Sequence, residues 1–309
     1  MLNDQPLVSV LMNCYNGERY LRPAIESVLN QTYRNWEIVF WDNQSIDSSA
    51  EICRSYGDPR IKYYRADRHT NLGGARAAAF ERVSGAFTAV LDTDDLWLPT
   101  KLERQIPLFD DPEVGIVICD TLFFTDDGKE RRMYAGQYPK QGHVFGDLVK
   151  SYFVSLETVV MRTAAVKGLN QAFDPELSHI SDMDLIVRLS KDWKLACVPE
   201  VLAKWRVHPA SGTWSEPERF FKERNTFADK MDGLAEYQNA WRSVRGRFVE
   251  KTYVAKAVRL LAGGRTSECR QVLKECPEKG RLWAAVAAAS WVPFAAEMTV
   301  RYLARRHLA

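Results

Sequence analysis

Along the first 125 residues, apolar positions follow two alternating rhythms. "PLVSVLMNC", "WEIVFWDN", "RIKYYRA", "AFTAVLD" and "VGIVICDTLFF" are short, near-continuous apolar runs. Runs of that length and composition predict strands buried on both faces of a parallel sheet. The segments between them carry helical spacing. In "NGERYLRPAIESVLNQ", Tyr20/Leu21, Ala24/Ile25 and Val28/Leu29 recur three to four residues apart. "SIDSSAEICRSYG" predicts a helix that stops at Gly57, "NLGGARAAAFERVSG" one that stops near Gly85, and "LPTKLERQIPLF" a fourth. Strand–helix alternation at this spacing predicts an α/β fold with a doubly wound, mostly parallel sheet flanked by helices. Ligands of such sheets sit beyond the carboxyl ends of the strands. Asn13, Asp42 and Asp92 all fall at such ends.

The rhythm breaks after about residue 125. "DDGKERRMYAGQYPKQG" is polar and predicts a loop or flap, and a mixed region follows to about 212. From there "EPERFFKERNTFADKMDGLAEY", "AWRSVRGRFVEKTYVAKAVRLLAGG" and "RTSECRQVLKECPEKG" predict helices. The expected division is an α/β domain over 1–215 and a helical region over 216–309. Net charge sharpens it: the whole chain carries +2, but the tail is basic and the front acidic. The six cysteines form no C-x-x-C pair and no zinc spacing, so they read as buried small hydrophobes in a reducing compartment. "MLNDQPLVSV" lacks the pattern of a signal peptide. The longest apolar run, Leu282 to Ala296, is interrupted by Pro293 and is shorter than the ~20 residues a spanning helix needs. These features predict a cytoplasmic protein, or one peripheral to the inner face of the cytoplasmic membrane.

One stretch asks for chemistry. In "AVLDTDDLWLP" a buried-looking strand ends in Asp92, Asp94 and Asp95, and like charges that close repel unless a cation lies between them. Magnesium and manganese prefer oxygen ligands and often bridge carboxylates to phosphates. A bland alternative is a helix start, with Asp95 as a cap and Asp94 favoured by the dipole.

"LDTDDLWLPTKLE" resembles the D-x-D segment of family 2 glycosyltransferases of the GT-A fold. "VSVLMNCYNGERYLRPAIESVLNQTYRNWEIVFWDNQSID" is similar to that family's N-terminal motif, "NLGGARAAAFERVSG" to its next element, and "SDMDLIVRLSK" and "AKWRVHPASGTWS" to its later ones. The resemblance covers roughly residues 6 to 212 in consistent order. It implies a GT-A, Rossmann-like domain, a nucleotide-sugar donor, Mn2+ or Mg2+, and inversion at the anomeric carbon. Carried over, Cys14, Tyr15 and Asn16 line the nucleoside pocket, and Asp42 pairs with the base beside Asn43 and Ser45. A uridine donor fits, since uracil presents an N3–H that cytosine lacks. Arg76 lies near the donor, Asp92 and Thr93 near the ribose and sugar, and Asp94 on the metal with His208. Asp182 falls where the family keeps its catalytic base. This chain has Ser181-Asp182 in place of the usual Glu-Asp, so Asp184 stays open as an alternative. Ala77 stands where the family often has Asn. Trp97 and Asp184 are acceptor-side candidates, and Trp205 is a further ring that could stack on a sugar.

The acceptor implied is a glycan or lipid-linked hydroxyl in surface polysaccharide synthesis. The tail segment "RLWAAVAAASWVPFAAEMTVRYLARRHLA" combines Trp283, Trp291, Phe294 and Tyr302 with Arg301, Arg305 and Arg306. Aromatics and arginines beside an apolar stretch suit an interfacial membrane contact, with a homodimer interface as the other reading. Nucleic acid is not an expected partner, because the α/β part lacks a basic-aromatic stripe. An inactive glycan-binding or scaffold protein is the rival from another class. A sugar nucleotidyltransferase would need a Gly-rich basic loop after the first strand, which "NCYNGERY" is not.

Overall fold

Strands that read as unbroken apolar runs need cover on both faces, and the chain provides it. The computed structural model describes residues 5–208 and 217–291. The chain divides into two compact units, Met1–Leu148 with Tyr152–Ser211, and Val149–Ser151 with Gly212–Ala309.

In the first unit the strands are β1 (Val8–Cys14), β2 (Trp36–Asp42), β3 (Ile61–Arg65), β4 (Phe87–Val90), β5 (Leu96–Trp97), β6 (Val114–Phe124), β7 (Glu130–Arg132), β8 (Val160–Arg162) and β9 (Lys194–Arg206). They form one sheet in the order β3-β2-β1-β4-β8-β6-β9-β5, with β7 paired to β6. β1, β2, β3, β4, β6 and β9 run one way, and β5, β7 and β8 run against them. The mostly parallel α/β sheet is therefore present. β8 inserts antiparallel between β4 and β6. One detail differs from the sequence reading. The polar stretch after β6 contains a strand: Leu122 to Phe124 pair with Arg132 to Glu130 in a hairpin.

The helices of this unit are α1 (Glu18–Leu29), α2 (Ser49–Arg54), α3 (Leu72–Phe80), α4 (Lys101–Gln105), α5 (Phe145–Lys150, whose last residues Val149 and Lys150 fall in the second unit), α6 (Thr163–Lys167) and α7 (Ser181–Leu189). α1 turns Leu21, Ala24, Ile25 and Val28 into a core shared with Val8, Val10, Met12, Ile38 and Phe40 of the sheet. Each fully buried Leu, Ile, Val, Met or Phe side chain among these contributes about 1.5–3 kcal/mol. α3 covers the sheet elsewhere, and its glycine has a steric reason. A Cβ on Gly73 would stand 1.8 Å from the Leu177 carbonyl oxygen and 2.3 Å from that of Asp174. Asn71 caps the same helix by accepting the Gly74 N–H at 2.8 Å. The "NLGG" segment is thus a capped helix start pressed against backbone.

The second unit contains α8 (Pro217–Gly233), α9 (Gln238–Arg242), α10 (Arg245–Ala262), α11 (Thr266–Glu275) and α12 (Arg281–Ala289). Phe227, Trp241 and Phe248 meet at ring-centroid distances of 5.2 to 5.9 Å. Val254, Val258, Leu261, Val272, Leu273 and Val286 form a second cluster. Trp283 belongs to this packing, its indole donating to the Leu273 carbonyl at 2.7 Å. Trp291 is exposed, with the Arg270 guanidinium 3.7 Å from its ring centroid. Phe294, Arg301, Tyr302, Arg305 and Arg306 lie outside the described residues. Among the described residues no helix is long and apolar enough to cross a membrane. All six cysteines are free and buried.

Candidate active site

Strand register assembles the site. Cys14 pairs with Asp42 and Asp42 with Arg65, while Leu11 of β1 pairs with Val90, two residues before Asp92. The carboxyl ends of β1, β2 and β4 therefore lie along one edge of the sheet, where ligands of such sheets sit.

At the β1–β2 side, Tyr15 is 52% exposed and its ring lies 4.2 Å from that of His69. Asn16 adopts φ +53, a conformation that asparagine tolerates better than most residues. Its amide N–H donates to Ser45 Oγ at 3.0 Å, and its Oδ1 accepts from the Ile46 N–H at 2.9 Å. Asp42 is fully buried, and its carboxylate accepts the Ser45 N–H and the Tyr63 hydroxyl. Asn43 binds Thr70 in both senses, donating to its carbonyl at 2.7 Å and accepting its N–H at 3.1 Å. These bonds tie the loop after β2 to the loop before α3. The Cys14 thiol is buried with the core, and burial raises its pKa.

At the β4 end, Arg76 is buried on α3 and makes two attachments. One terminal nitrogen lies 2.9 and 3.0 Å from the two oxygens of Asp92, and the other donates to Ser181 Oγ at 2.9 Å. Its buried Nε has no protein partner among the described residues. Thr93 packs on the first loop, where its Oγ1 is 2.9 Å from the place a Cβ on Gly17 would occupy. Asp94 Oδ2 lies 2.9 Å from His208 Nε2. Burial and then the neighbouring Asp92 charge push Asp94 above the usual carboxylate range, and His208 offsets this. Asp95 faces inward instead, accepting the Arg206 N–H at 2.8 Å, and it does not cap α4, whose cap is Thr100.

Among the described residues no group of three or more His, Cys, Asp or Glu side chains surrounds one point. Asp94 and His208 offer one carboxylate and one imidazole. That set fits a Mn2+ or Mg2+ ion that completes its shell with phosphate oxygens and water.

α7 supplies the remaining carboxylate. Asp182 sits in its first turn, partly buried, and accepts the Tyr152 hydroxyl at 3.3 Å. Burial raises its pKa, and the Arg76 charge opposes that rise. Asp184 is fully buried and paired with Arg188 at 2.6 Å, and Arg188 also donates to the carbonyls of Gln171 and Ala172 at 2.7 Å each. The acceptor-side expectation for Asp184 is therefore corrected: it anchors the helix. Trp97 is corrected too. It lies in the core, with its indole donating to the Glu157 carbonyl at 2.8 Å and Lys101 over its ring. Trp205 packs edge-on against Phe123 at 5.1 Å.

Sequence reading missed Tyr152, Ser181, Tyr63 and Arg206, all of which hold named site residues. Their partners lie 21 to 112 residues away along the chain, and no local spacing announces such contacts.

A model of glycosyl transferase family 2 matches residues 9–169. The UDP-Glc:alpha-D-GlcNAc-diphosphoundecaprenol beta-1,3-glucosyltransferase WfgD of Escherichia coli is 41% identical over 210 residues, which cover 67% of this chain and 80% of that one. The putative glycosyltransferase EpsE of Bacillus subtilis is 27% identical over 261 residues, covering 82% and 89%. Among solved structures, S. aureus TarS 1-349 in complex with UDP-GlcNAc superposes with a TM-score of 0.65 at 16% identity, over 97% of this chain and 91% of that one. The mannosyltransferase PcManGT from Pyrobaculum calidifontis, in complex with GDP-Man and Mn2+, does so at 0.63 and 14%, over 97% and 88%. The two structures share the GT-A fold with this chain. With a family match over half its length and a relative this similar, the chain is a glycosyltransferase and belongs to glycosyl transferase family 2.

Proposed function

We propose that the protein is an inverting, metal-dependent glycosyltransferase. It moves a sugar from a nucleoside-diphosphate donor, with UDP-sugars favoured, to a hydroxyl of a glycan or lipid-linked acceptor in surface polysaccharide synthesis. The observation that carries this reading is that Arg76 joins Asp92 to Ser181, the neighbour of Asp182, while Asp94 of the same turn meets His208. The UDP-GlcNAc named with TarS and the diphosphoundecaprenol named with WfgD support the donor and acceptor classes.

Tyr15 offers an exposed ring on which a base can stack. Arg76 fixes the Asp92 carboxylate, which accepts hydrogen bonds from donor hydroxyls. Asp94 and His208 would hold the cation. That ion, when bound, offsets the charge that develops on a departing diphosphate. Asp182 accepts the proton of the acceptor hydroxyl as the oxygen attacks the anomeric carbon, and a single displacement inverts it. Tyr152 orients that carboxylate. Manganese as the ion, contact with the inner face of the membrane, and the helical region over 216–309 as a membrane contact or homodimer interface belong to this same reading.

Calorimetric titration of UDP, dTDP, GDP and CMP, each with Mn2+ and with chelator, tests it. The expected result is Mn2+-dependent binding of one diphosphate, UDP first, which Asp94→Ala abolishes. Failure of every nucleotide to bind would contradict the reading and favour a scaffold.

A further inference from the structure

Arg206 ends β9 two residues before His208, and it touches four separate segments. Its guanidinium lies between two rings, 4.3 Å from the centroid of Tyr20 and 4.5 Å from that of Phe124. Nε donates to the Asp94 backbone carbonyl at 3.1 Å, and the Arg206 N–H donates to the Asp95 carboxylate at 2.8 Å. Nη1 donates to Asp126 Oδ1 at 2.5 Å. Asp126 stands in the turn between β6 and β7. Its other oxygen accepts the Tyr20 hydroxyl at 2.9 Å and Arg19 at 3.2 Å. The Tyr20 ring in turn lies 5.3 Å from that of His208. The side chain of Arg206 is only 11% exposed, while that of Asp126 is 45% exposed at the rim.

A pair of exposed ions contributes little, because water screens it and two long side chains must be held still. Here the arginine is already held: two rings fix the plane of its guanidinium, and a carbonyl fixes its Nε. The planar fork can then satisfy two acceptors at a set angle, which a lysine ammonium cannot do. Residues two apart in extended chain project to the same side. The Val207 N–H still pairs with the Phe124 carbonyl at 2.8 Å, so the chain remains extended toward His208. Arg206 therefore ties both members of the Asp94–His208 pair, one through its backbone carbonyl and one through the strand.

We propose that Arg206 and Asp126 are positioning residues that set the Asp94–His208 pair to receive a divalent cation. The β6–β7 turn, through Asp126, is the fixed point of that arrangement. This rests on the metal-dependent reading above. It extends that reading to two residues that do not themselves touch the ion.

The test follows Mn2+ directly, by loss of the free-ion EPR signal on titration into the full-length protein with saturating UDP. Partners that orient metal ligands cost about 10–100-fold in affinity when altered. Arg206→Lys and Asp126→Asn should each weaken Mn2+ uptake within that range, and Asp126→Glu should restore part of it. The near-UV circular dichroism spectrum should be the same in all of them, which a general loosening of the fold would not allow. Tyr20→Phe removes only the hydroxyl bond to Asp126. It serves as the milder variant if Arg206→Lys fails to fold, and it should weaken Mn2+ uptake by a smaller factor. Wild-type Mn2+ affinity in Asp126→Asn and Tyr20→Phe would overturn the inference while leaving the functional reading intact. A wild-type protein that takes up no Mn2+ with UDP would overturn both.

Discussion

Asp182 and Asp184 stand two residues apart in the first turn of α7, and their neighbours separate them. Asp184 is shut in with Arg188, whereas Asp182 keeps a partly open carboxylate bonded to Tyr152. A general base must be ionised to act. Burial pushes Asp182 above the ordinary carboxylate range, so activity should fall on the acid side at a higher pH than an exposed aspartate would give. The Tyr152 hydroxyl donates to the ionised carboxylate and lowers that pKa. Tyr152→Phe should move the acid limb of kcat/KM to higher pH, with most of the plateau rate retained. A pH profile unchanged from wild type would remove Tyr152 from the account. Asp92, Asp94 and Asp182 were visible as candidates in the sequence because carboxylates at strand ends and helix starts are conspicuous there. Tyr152 was not, since nothing local tells a tyrosine that meets Asp182 from one buried for its ring. Trp97 misled for the converse reason: it follows the acidic run, yet its side chain points into the core.

Elements place these side chains only if they are themselves fixed. α7 is short, and its anchor is the Arg188 guanidinium, held by Asp184 and by the carbonyls of Gln171 and Ala172. Breaking a buried pair by removing one partner costs about 3–5 kcal/mol. Asp184→Asn should therefore lower the urea midpoint sharply, with residual activity per folded molecule close to wild type. Near-native stability with lost turnover would instead mark Asp184 as the base. The strands and first helices were readable because burial on both faces gives continuous apolar runs and burial on one face gives a 3.6-residue period. β8 and β5 were not, being three and two residues long. A run that short carries no period, and its place in the sheet is decided by partners far along the chain.

At the scale of the molecule, the acidic turn after β4 has a thermodynamic consequence. Asp95 lies buried beneath the Asp92–Asp94 turn, and desolvation and then the charge of Glu157 push its pKa well above the ordinary carboxylate range. Glu157 is pushed in the same direction, chiefly by burial. A carboxyl whose pKa is raised by folding keeps its proton longer in the native state than in the unfolded chain. Its contribution is then most favourable below the unfolded pKa, about 3.9 for aspartate, and is lost as pH rises toward the raised value. Asp95→Asn removes that titration while keeping an oxygen for the Arg206 N–H. Its Tm advantage over wild type should grow as pH climbs through that window and then level off. A difference in Tm independent of pH would show that Asp95 titrates normally. A change of rhythm and charge is what the sequence offers for a division near residue 215.

The central claim is that Asp182 serves the proton and not the donor, and Asp182→Asn tests it most directly. The measurement pairs calorimetry of UDP with Mn2+ against the rate of UDP release from a bound UDP-sugar, with water standing in for the acceptor hydroxyl. The account predicts a UDP dissociation constant close to wild type and a rate lower by about 10²–10⁴, the usual contribution of a general base. A variant that turns over at the wild-type rate, or one that loses UDP binding and turnover together, would contradict it.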